Sequence, residues 1–390
     1  MMSIIDSRRT GPIRPGSGGA SERCTGAMTN LTIGTVLGEP GTDVTLDARR
    51  FNRHTFWVGQ SGSGKTYALG VVLEQLLLQT ELPLLILDPN SDFARLRETR
   101  STVGDADAAR IADMDIRVFR SSAGEGEPLH VRYVELTAAS KAAVLQMDPI
   151  ADGEEYNALL HHERETESLD AGAMLPSLRG SGDHAKAMLA NRIENLQVLE
   201  WALWSHGAGS VVDVVDERPR ATVLDLGGFE HRAEPKVAAL AVLEHLWARR
   251  EERRPLLIVI DEAHNLCSPQ PETAVERALT EQLVQIAAEG RKFGLWLLLS
   301  TQRPTKIHPN VLSQCDNLVL MRVNAPRDLA ELADVFGFAS EGAIRRSAEF
   351  AQGQALFAGG FISAPTFVQM GERLTEEAGG DVKVPLRAAG

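Results

Sequence analysis

Residues Gly59 to Thr66 read GQSGSGKT, and they directly follow the short apolar segment Thr55 to Val58. The loop matches the pattern GxxxxGK[ST] at every fixed position. Glycines let the backbone N–H groups of such a loop wrap around phosphate oxygens, and the next helix adds its partial positive charge. Apolar residues at helical spacing run from Thr66 to Leu78, and a second apolar segment, Leu84 to Leu87, ends in Asp88. This order predicts a βαβ unit, and therefore a parallel sheet with helices on its faces.

The glycine loop predicts a binding site for ATP or GTP with magnesium. Lys65 is expected to reach the β- and γ-phosphates, and the Thr66 hydroxyl is expected to bind Mg²⁺. A flexible Gly/Ser linker would need neither the strand before the loop nor the helix after it, so that alternative is disfavoured. The residues assigned to nucleotide binding are Gly59, Gln60, Ser61, Gly62, Ser63, Gly64, Lys65, Thr66 and Tyr67.

A pair of acids follows the apolar segment Leu256 to Ile260. Asp261 is expected to hold the magnesium ion, and Glu262 is expected to polarise the attacking water. Phosphoryl transfer needs both charge neutralisation and an oriented nucleophile, and this pair offers both. Acids often end strands, so the pair becomes a strong signal only together with the glycine loop. His264 is either a sensor of this site or a structural hydrogen-bonding residue.

Two further residues are candidates for the reaction. Gln302 follows the apolar segment Leu295 to Leu299, and we expect it to contact the γ-phosphate or the attacking water, the alternative being a simple polar strand end. Arg291 follows a helix that is predicted to stop at Gly290. It is either a cation that complements the end of that helix or an arginine finger for a neighbouring subunit's nucleotide. The residues alone leave these two interpretations equal.

The composition limits the classes of partner. The net charge of −13 means that the surface as a whole repels nucleic acid and anionic membranes, so DNA contact requires a local basic patch. Cations after two of the strands are candidates, although charged runs are more often solvated: Arg95, Arg97, Arg100, Arg303, Lys306 and His308. The three cysteines show no metal-binding spacing, which favours a reducing cytoplasm, and no apolar run reaches membrane-spanning length.

The hydrophobic pattern divides the chain into parts. Residues 1–27 are expected to be a disordered extension, with a transit peptide as the alternative, and residues 28–50 two short strands around the turn GEPG. Residues 51–134 and 211–370 are expected to form the core, 135–210 a helical insertion and 371–390 a tail. Further strands are predicted at Ala221 to Leu226, Leu256 to Ile260, Leu295 to Ser300 and Asn317 to Arg322, followed by a hairpin of Gln354 to Ala358 and Thr366 to Met370.

Together these motifs resemble the HerA–FtsK superfamily of ring-forming ATPases, and the HerA branch in particular. The resemblance covers roughly residues 30–375 and implies a RecA-like α/β fold with a mainly parallel central sheet. It also implies ATP rather than GTP, with Mg²⁺, and a homo-hexamer that threads DNA through a central pore. The resemblance rests on RHTFWVGQSGSGKT (Arg53 to Thr66), LLILDPNSDF (Leu84 to Phe93), LLIVIDEAHNL (Leu256 to Leu266), EGRKFGLWLLLSTQRP (Glu289 to Pro304) and HPNVLSQCDNLVLMRV (His308 to Val323).

By this resemblance, Lys65 and Thr66 are Walker A residues, and Asp261 and Glu262 are the Walker B pair. Gln302 is similar to the family's sensor glutamine. Arg291 is similar to its trans-acting arginine, with Arg322 as a weaker second candidate.

The chain departs from the family pattern in two places. The segment DPNSDF replaces a more usual Asp-Pro-His-Gly-Glu-Tyr-like form, which leaves the roles of Asn90 and Asp92 open. Residues 28–50 are interpreted as the remnant of an N-terminal β-barrel that helps to dock partner nucleases in fuller members.

The resemblance implies a cytoplasmic DNA translocase or helicase that acts with a nuclease or other effector in DNA processing. An ATPase ring that activates a phage-defence effector, and a conjugation-type DNA-mobilisation ATPase, are the alternatives. A DEAH-box helicase with two RecA halves is disfavoured, because fewer than ninety residues follow Gln302.

Overall fold

The structure is a computed structural model that describes residues 30–101, 106–121, 126–165, 171–205, 207 and 209–378. Within these ranges, twelve strands form one sheet. The strands are β1 (Asn30–Val36), β2 (Glu39–Asp47), β3 (His54–Val58), β4 (Leu84–Asp88), β5 (Ile116–Arg120), β6 (Glu127–Pro128), β7 (Ala221–Asp225), β8 (Leu256–Ile260), β9 (Leu295–Thr301), β10 (Cys315–Leu320), β11 (Gln354–Gly359) and β12 (Thr366–Met370).

The helices of the described chain cover both faces of this sheet. They are α1 (Lys65–Gln79), α2 (Ala106–Ala112), α3 (Ala138–Val144), α4 (Gly153–Glu165), α5 (Ala171–Gly180), α6 (His184–Leu196), α7 (Val211–Glu217), α8 (Glu234–Ala248), α9 (Ala274–Glu289), α10 (Pro309–Leu312), α11 (Pro326–Val335) and α12 (Glu341–Arg345). None of them has the length and apolar character that a membrane span requires.

The strand order is β2-β1-β12-β11-β10-β3-β9-β8-β4-β7-β5-β6. From β10 through β6 every neighbouring pair is parallel, and from β2 through β10 every pair is antiparallel. The central strands β3, β4, β7 and β8 are buried at every position, as apolar runs covered on both faces require. The predicted α/β fold with a mainly parallel sheet is confirmed.

Two hydrophobic clusters, one on each face of the sheet, form the core. One contains apolar residues of α1 and of the β1–β2 hairpin, and the other contains residues of α8, α9 and the helices between residues 138 and 196. The helical pattern predicted for residues 135–210 is therefore found. The division of the chain into a core and an insertion stays a prediction.

The N-terminal hairpin turns earlier than the sequence suggested. Val36 pairs with Glu39, so the turn consists of Leu37 and Gly38, and Pro40 lies inside β2. Gly38 has a φ of +89°, a conformation that a two-residue hairpin turn needs and glycine supplies. Strand β1 pairs with β12, so the hairpin extends the central sheet. Its origin as a barrel remnant stays a prediction.

The predicted terminal segments are described only in part. Residues 1–27 lie outside the described residues. The C-terminal segment is described as far as residue 378, and its residues 373–375 pack on α1. The Glu74 carboxylate accepts hydrogen bonds from the backbone N–H groups of Leu374 and Thr375, and the buried Arg373 guanidinium lies against Gly70.

Candidate nucleotide-hydrolysis site

The glycine loop lies between the carboxyl ends of the neighbouring strands β9, β3 and β10. The Gly59 N–H donates to the Thr301 carbonyl, and the Gln60 N–H donates to the Arg322 carbonyl. Gly64 adopts a φ of +85° at the start of α1, which an L side chain rarely tolerates. The loop therefore presents the N-terminus of α1 at this edge, as a phosphate-binding loop requires.

Lys65 is the cation at the centre of the site. Its Nζ donates to Asp261 Oδ1 at 2.6 Å and to Ser300 Oγ at 2.9 Å, and it lies 3.3 Å from Glu262 Oε1. Burial alone would lower the pKa of Lys65, but the two carboxylates outweigh burial and raise it. Lys65 is therefore charged at neutral pH, and a bound phosphate has to compete with Asp261 for it.

Glu262 and Gln302 contact each other directly. The Gln302 side-chain amide donates to Glu262 Oε1 at 2.6 Å, and His264 Nδ1 lies 3.2 Å from Glu262 Oε2. Burial alone would raise the pKa of Glu262. The His264 ring, the Lys65 ammonium and the Gln302 amide outweigh burial and lower this pKa to about 2. Glu262 is therefore ionised at neutral pH, as a group that polarises water must be.

Three acids cluster beside the glycine loop. One carboxylate oxygen from each of Asp88, Asp92 and Asp261 lies within 4.8 Å of the other two. Asp261 is fully buried, and its Oδ2 has no hydrogen-bond partner among the described residues. Burial and the neighbouring Asp261 raise the pKa of Asp88 to about 7 and that of Asp92 to about 6. Such a set of oxygen donors suits a hard divalent cation such as Mg²⁺, with Thr66 at the start of α1.

The sequence motifs identify Asp261 as a metal ligand, but they do not identify Asp88 or Asp92. Both acids lie in DPNSDF, directly after β4, and β4 pairs with β8 in parallel, which brings their strand ends to the same edge. The signal was therefore present in the sequence. It could be used only once β4 and β8 were known to be neighbours.

Two assigned residues make contacts other than those expected. The Tyr67 hydroxyl accepts hydrogen bonds from the Arg373 N–H and from Arg100 Nη1, so it faces the C-terminal segment. Arg322 was a candidate for reaching a neighbour's nucleotide. Its Nη2 instead donates to the Gly62 carbonyl at 3.0 Å, so it lies on the glycine loop of its own chain.

Arg291 lies at the amino ends of the parallel strands (the amino edge of the sheet), whereas Lys65 lies at their carboxyl ends (the carboxyl edge). It belongs to the turn Gly290–Phe293, directly before β9, whereas the Lys65 partner Ser300 lies near the carboxyl end of the same strand. Arg291 Nη1 donates to Asp316 Oδ2 at 3.0 Å. The structure thus separates Arg291 from the nucleotide site of its own chain, and any contact with nucleotide has to be made to another chain.

The candidate DNA-binding cations divide into two groups. Arg95 pairs with Glu98, Arg97 Nε donates to the Ala112 carbonyl, Arg100 contacts Tyr67, and His308 accepts a hydrogen bond at the start of α10. Arg303 and Lys306 are exposed just beyond Gln302, and they remain available for a ligand at this edge.

Comparisons with known proteins place the chain in a family. Residues 31–244 match the model of the central domain of helicase HerA. The chain is 24% identical over 364 residues to the DNA double-strand break repair helicase HerA of Sulfurisphaera tokodaii, covering 90% of this chain and 71% of that protein. It is 23% identical over 385 residues to the helicase of the same name from Pyrococcus furiosus, covering 87% and 69%.

Solved structures share the fold. VirB4 of Thermoanaerobacter pseudethanolicus superposes with a TM-score of 0.58 at 15% identity, covering 88% of this chain and 96% of that chain. The plasmid coupling protein TrwB, bound to ADP and Mg²⁺, superposes with a TM-score of 0.55 at 13% identity, covering 85% and 89%. The family model spans more than half of the chain, from residue 31 to residue 244, so the chain belongs to the helicase HerA family of P-loop ATPases.

Proposed function

We propose that the protein is an ATP-driven DNA translocase or helicase of the HerA type that works as a cytoplasmic homo-hexamer. The main support for this proposal is that the groups needed for one hydrolysis reaction lie at opposite ends of the parallel strands. The groups that bind phosphate and activate water lie at the carboxyl edge of the sheet, and Arg291 lies at the amino edge.

The charges at the carboxyl edge support a site shared between chains. Four acids crowd this edge: Asp88, Asp92, Asp261 and Glu262. Lys65 is bound to two of them, and Arg322 is bound to the loop carbonyl of Gly62. Phosphoryl transfer requires positive charge around the γ-phosphate beyond what Lys65 supplies. Mg²⁺ supplies part of this charge when bound, and an arginine from a neighbouring chain would supply the rest.

The residues of this chain divide the hydrolytic work. The loop N–H groups and Lys65 bind the phosphates, while the Thr66 hydroxyl and Asp261 Oδ2 would hold Mg²⁺. Glu262 orients the attacking water and takes up its proton. Gln302 contacts Glu262 and is followed by a basic segment with the exposed Arg303 and Lys306. Hydrolysis of the nucleotide would therefore change the contacts of this segment.

Movement along DNA would use this basic segment. The overall charge of −13 disfavours DNA binding by the surface as a whole, so the exposed Arg303 and Lys306 are the proposed contacts in a central pore. The HerA relatives carry the name of DNA double-strand break repair helicases, which favours a role in DNA processing. A partner nuclease is implied only by the family resemblance of the sequence.

The proposal is tested by measuring ATP hydrolysis and native mass with and without double-stranded DNA. We expect a hexamer whose hydrolysis rate rises several-fold with DNA, and an Arg303→Ala/Lys306→Ala variant that keeps basal hydrolysis but loses the stimulation. A monomeric protein with no response to DNA would contradict the proposal. Activity that arises only on mixing with an effector would favour an ATPase ring that activates a partner.

A further inference from the structure

Strand β10 carries one extra residue beside β3. Cys315 pairs with His54 and Asn317 pairs with the next residue, Thr55, which leaves Asp316 in a β-bulge. Bulges re-aim a side chain and are frequent next to active sites. The bulge lies at the amino edge of the sheet, where Arg291 precedes β9.

The backbone around the bulge is tightly fixed. Gly359 has a φ of +114°, and a Cβ at that position would come within 2.3 Å of the Asp316 carbonyl oxygen. The Asn317 side chain donates to the Arg50 carbonyl and to the Thr55 hydroxyl, each at 3.2 Å. The Asp316 carboxylate is therefore held by a rigid backbone.

This carboxylate lies among arginines. Arg291 Nη1 donates to Asp316 Oδ2 at 3.0 Å, and Arg53 Nε lies 3.8 Å from the same oxygen. These residues and Arg50 line an open cavity of about 540 Å³. Three guanidinium groups and one carboxylate leave a net positive charge around the cavity, which suits a phosphate-bearing ligand.

Stability does not explain this arrangement. The Asp316 side chain is 47% exposed and that of Arg291 is 32% exposed, and ion pairs at this exposure contribute little to folding. Within the described residues, Arg291 donates to Asp316 through Nη1 alone. A guanidinium has further N–H donors, which remain for a ligand.

We propose that Asp316 is a positioning residue that orients the Arg291 guanidinium toward the nucleotide of a neighbouring copy of this chain. The inference rests on the proposed function, because it takes Arg291 as the residue that enters the neighbour's site. Asp316 itself does not touch the nucleotide. A misplaced catalytic group can cost up to about a hundredfold in rate, so the loss of this anchor should slow hydrolysis without abolishing it.

The test is a double-mutant cycle on the assembled protein, with ATP and Mg²⁺ as the substrate. Asp316→Ala should lower kcat about tenfold, with no change in Tm and little change in the KM for ATP. Arg291→Ala should lower kcat by roughly 10³ or more, and the double variant should be no slower than Arg291→Ala alone. Asp316→Asn keeps the shape of the bulge and should also lower kcat. It keeps the test valid if the alanine variant fails to fold.

A matched control is available at another exposed ion pair. Glu341 pairs with Arg345 on α12, and Glu341→Ala should leave kcat unchanged. A wild-type or increased kcat in both Asp316 variants would overturn the inference, and so would an equal tenfold loss in the Arg291→Ala background. A wild-type kcat in Arg291→Ala would overturn the shared site itself, whatever the Asp316 variants do.

Discussion

Replacing Lys65 by alanine should stop ATP hydrolysis and also destabilise the nucleotide-free protein. The Lys65 ammonium lies 2.6 Å from Asp261 Oδ1 and 3.3 Å from Glu262 Oε1, and all three side chains are at most 5% exposed. Removing the cation leaves the Asp261 charge buried, while its Oδ2 already lacks a partner among the described residues. Removal of one partner from a buried ion pair costs about 3–5 kcal/mol.

This free energy converts to a measurable shift. At roughly 2.1 cal/mol/K per residue, a chain of 390 residues has an unfolding entropy of about 0.8 kcal/mol/K, so Tm should fall by about 4–6 °C. The pKa of Lys65 is raised in the folded state, so its contribution is complete below the unfolded pKa and is lost only as the pH rises through the raised value. The assay is therefore thermal unfolding at pH 7.5 without nucleotide.

Removing the negative charge of Asp261 as well supplies the control. A Lys65→Ala/Asp261→Asn variant should recover most of the lost Tm, because the buried negative charge is gone. It should remain inactive, because the lysine that binds the phosphates is still missing. If Lys65→Ala kept the wild-type Tm, the buried-charge reasoning would be refuted. If it retained hydrolysis, the assignment of the site would be refuted.

Three other variants test separate parts of the structure. Glu262→Gln should bind ATP but turn it over about 10²–10⁴ times more slowly in single-turnover assays, and fast turnover would reject its role as base. The Tm of Asp88→Asn should exceed that of the wild type by an amount that grows as the pH rises from about 4 to about 7 and is constant above that, because the pKa of Asp88 is about 7 when folded and about 4 when unfolded; a gain independent of pH would contradict this. Gly70→Ala should lower the free energy of unfolding by roughly 1–3 kcal/mol, since its Cβ would lie 2.5 Å from the buried Arg373, whereas the control Gly153→Ala has no atom within 4 Å and should not.

The central residues of the candidate site could be predicted because strand ends fix their positions. Strands β3, β9 and β8 are parallel neighbours, so the residues that follow them meet at one edge of the sheet. Lys65 follows β3 through the glycine loop, Asp261 follows β8, and Ser300 lies near the end of β9. The motifs predicted that Lys65 and Asp261 serve one nucleotide site, and in the structure Lys65 Nζ contacts Asp261 and Ser300 at that edge.

Other contacts depend on geometry that spacing does not encode. Asp316 reaches Arg291 because one extra residue bulges out of β10, and Arg322 turns back onto Gly62 rather than outward. The cluster of Asp92 with Asp261 depends on which strands are neighbours, and that order is set by packing across the whole sheet. A pattern of residues along the chain contains none of this information.

The most direct test of the shared site is to mix two inactive variants. Lys65→Ala lacks the phosphate ligand but keeps Arg291, and Arg291→Ala lacks the arginine but keeps the phosphate-binding loop. In randomly mixed rings of equal parts, about a quarter of the interfaces would combine an intact loop with an intact arginine. If the site is shared between subunits, each variant alone should be nearly inactive and the mixture should recover up to about that fraction of wild-type ATP hydrolysis. A fully active Arg291→Ala protein, or a mixture that recovers nothing after subunit exchange, would contradict it.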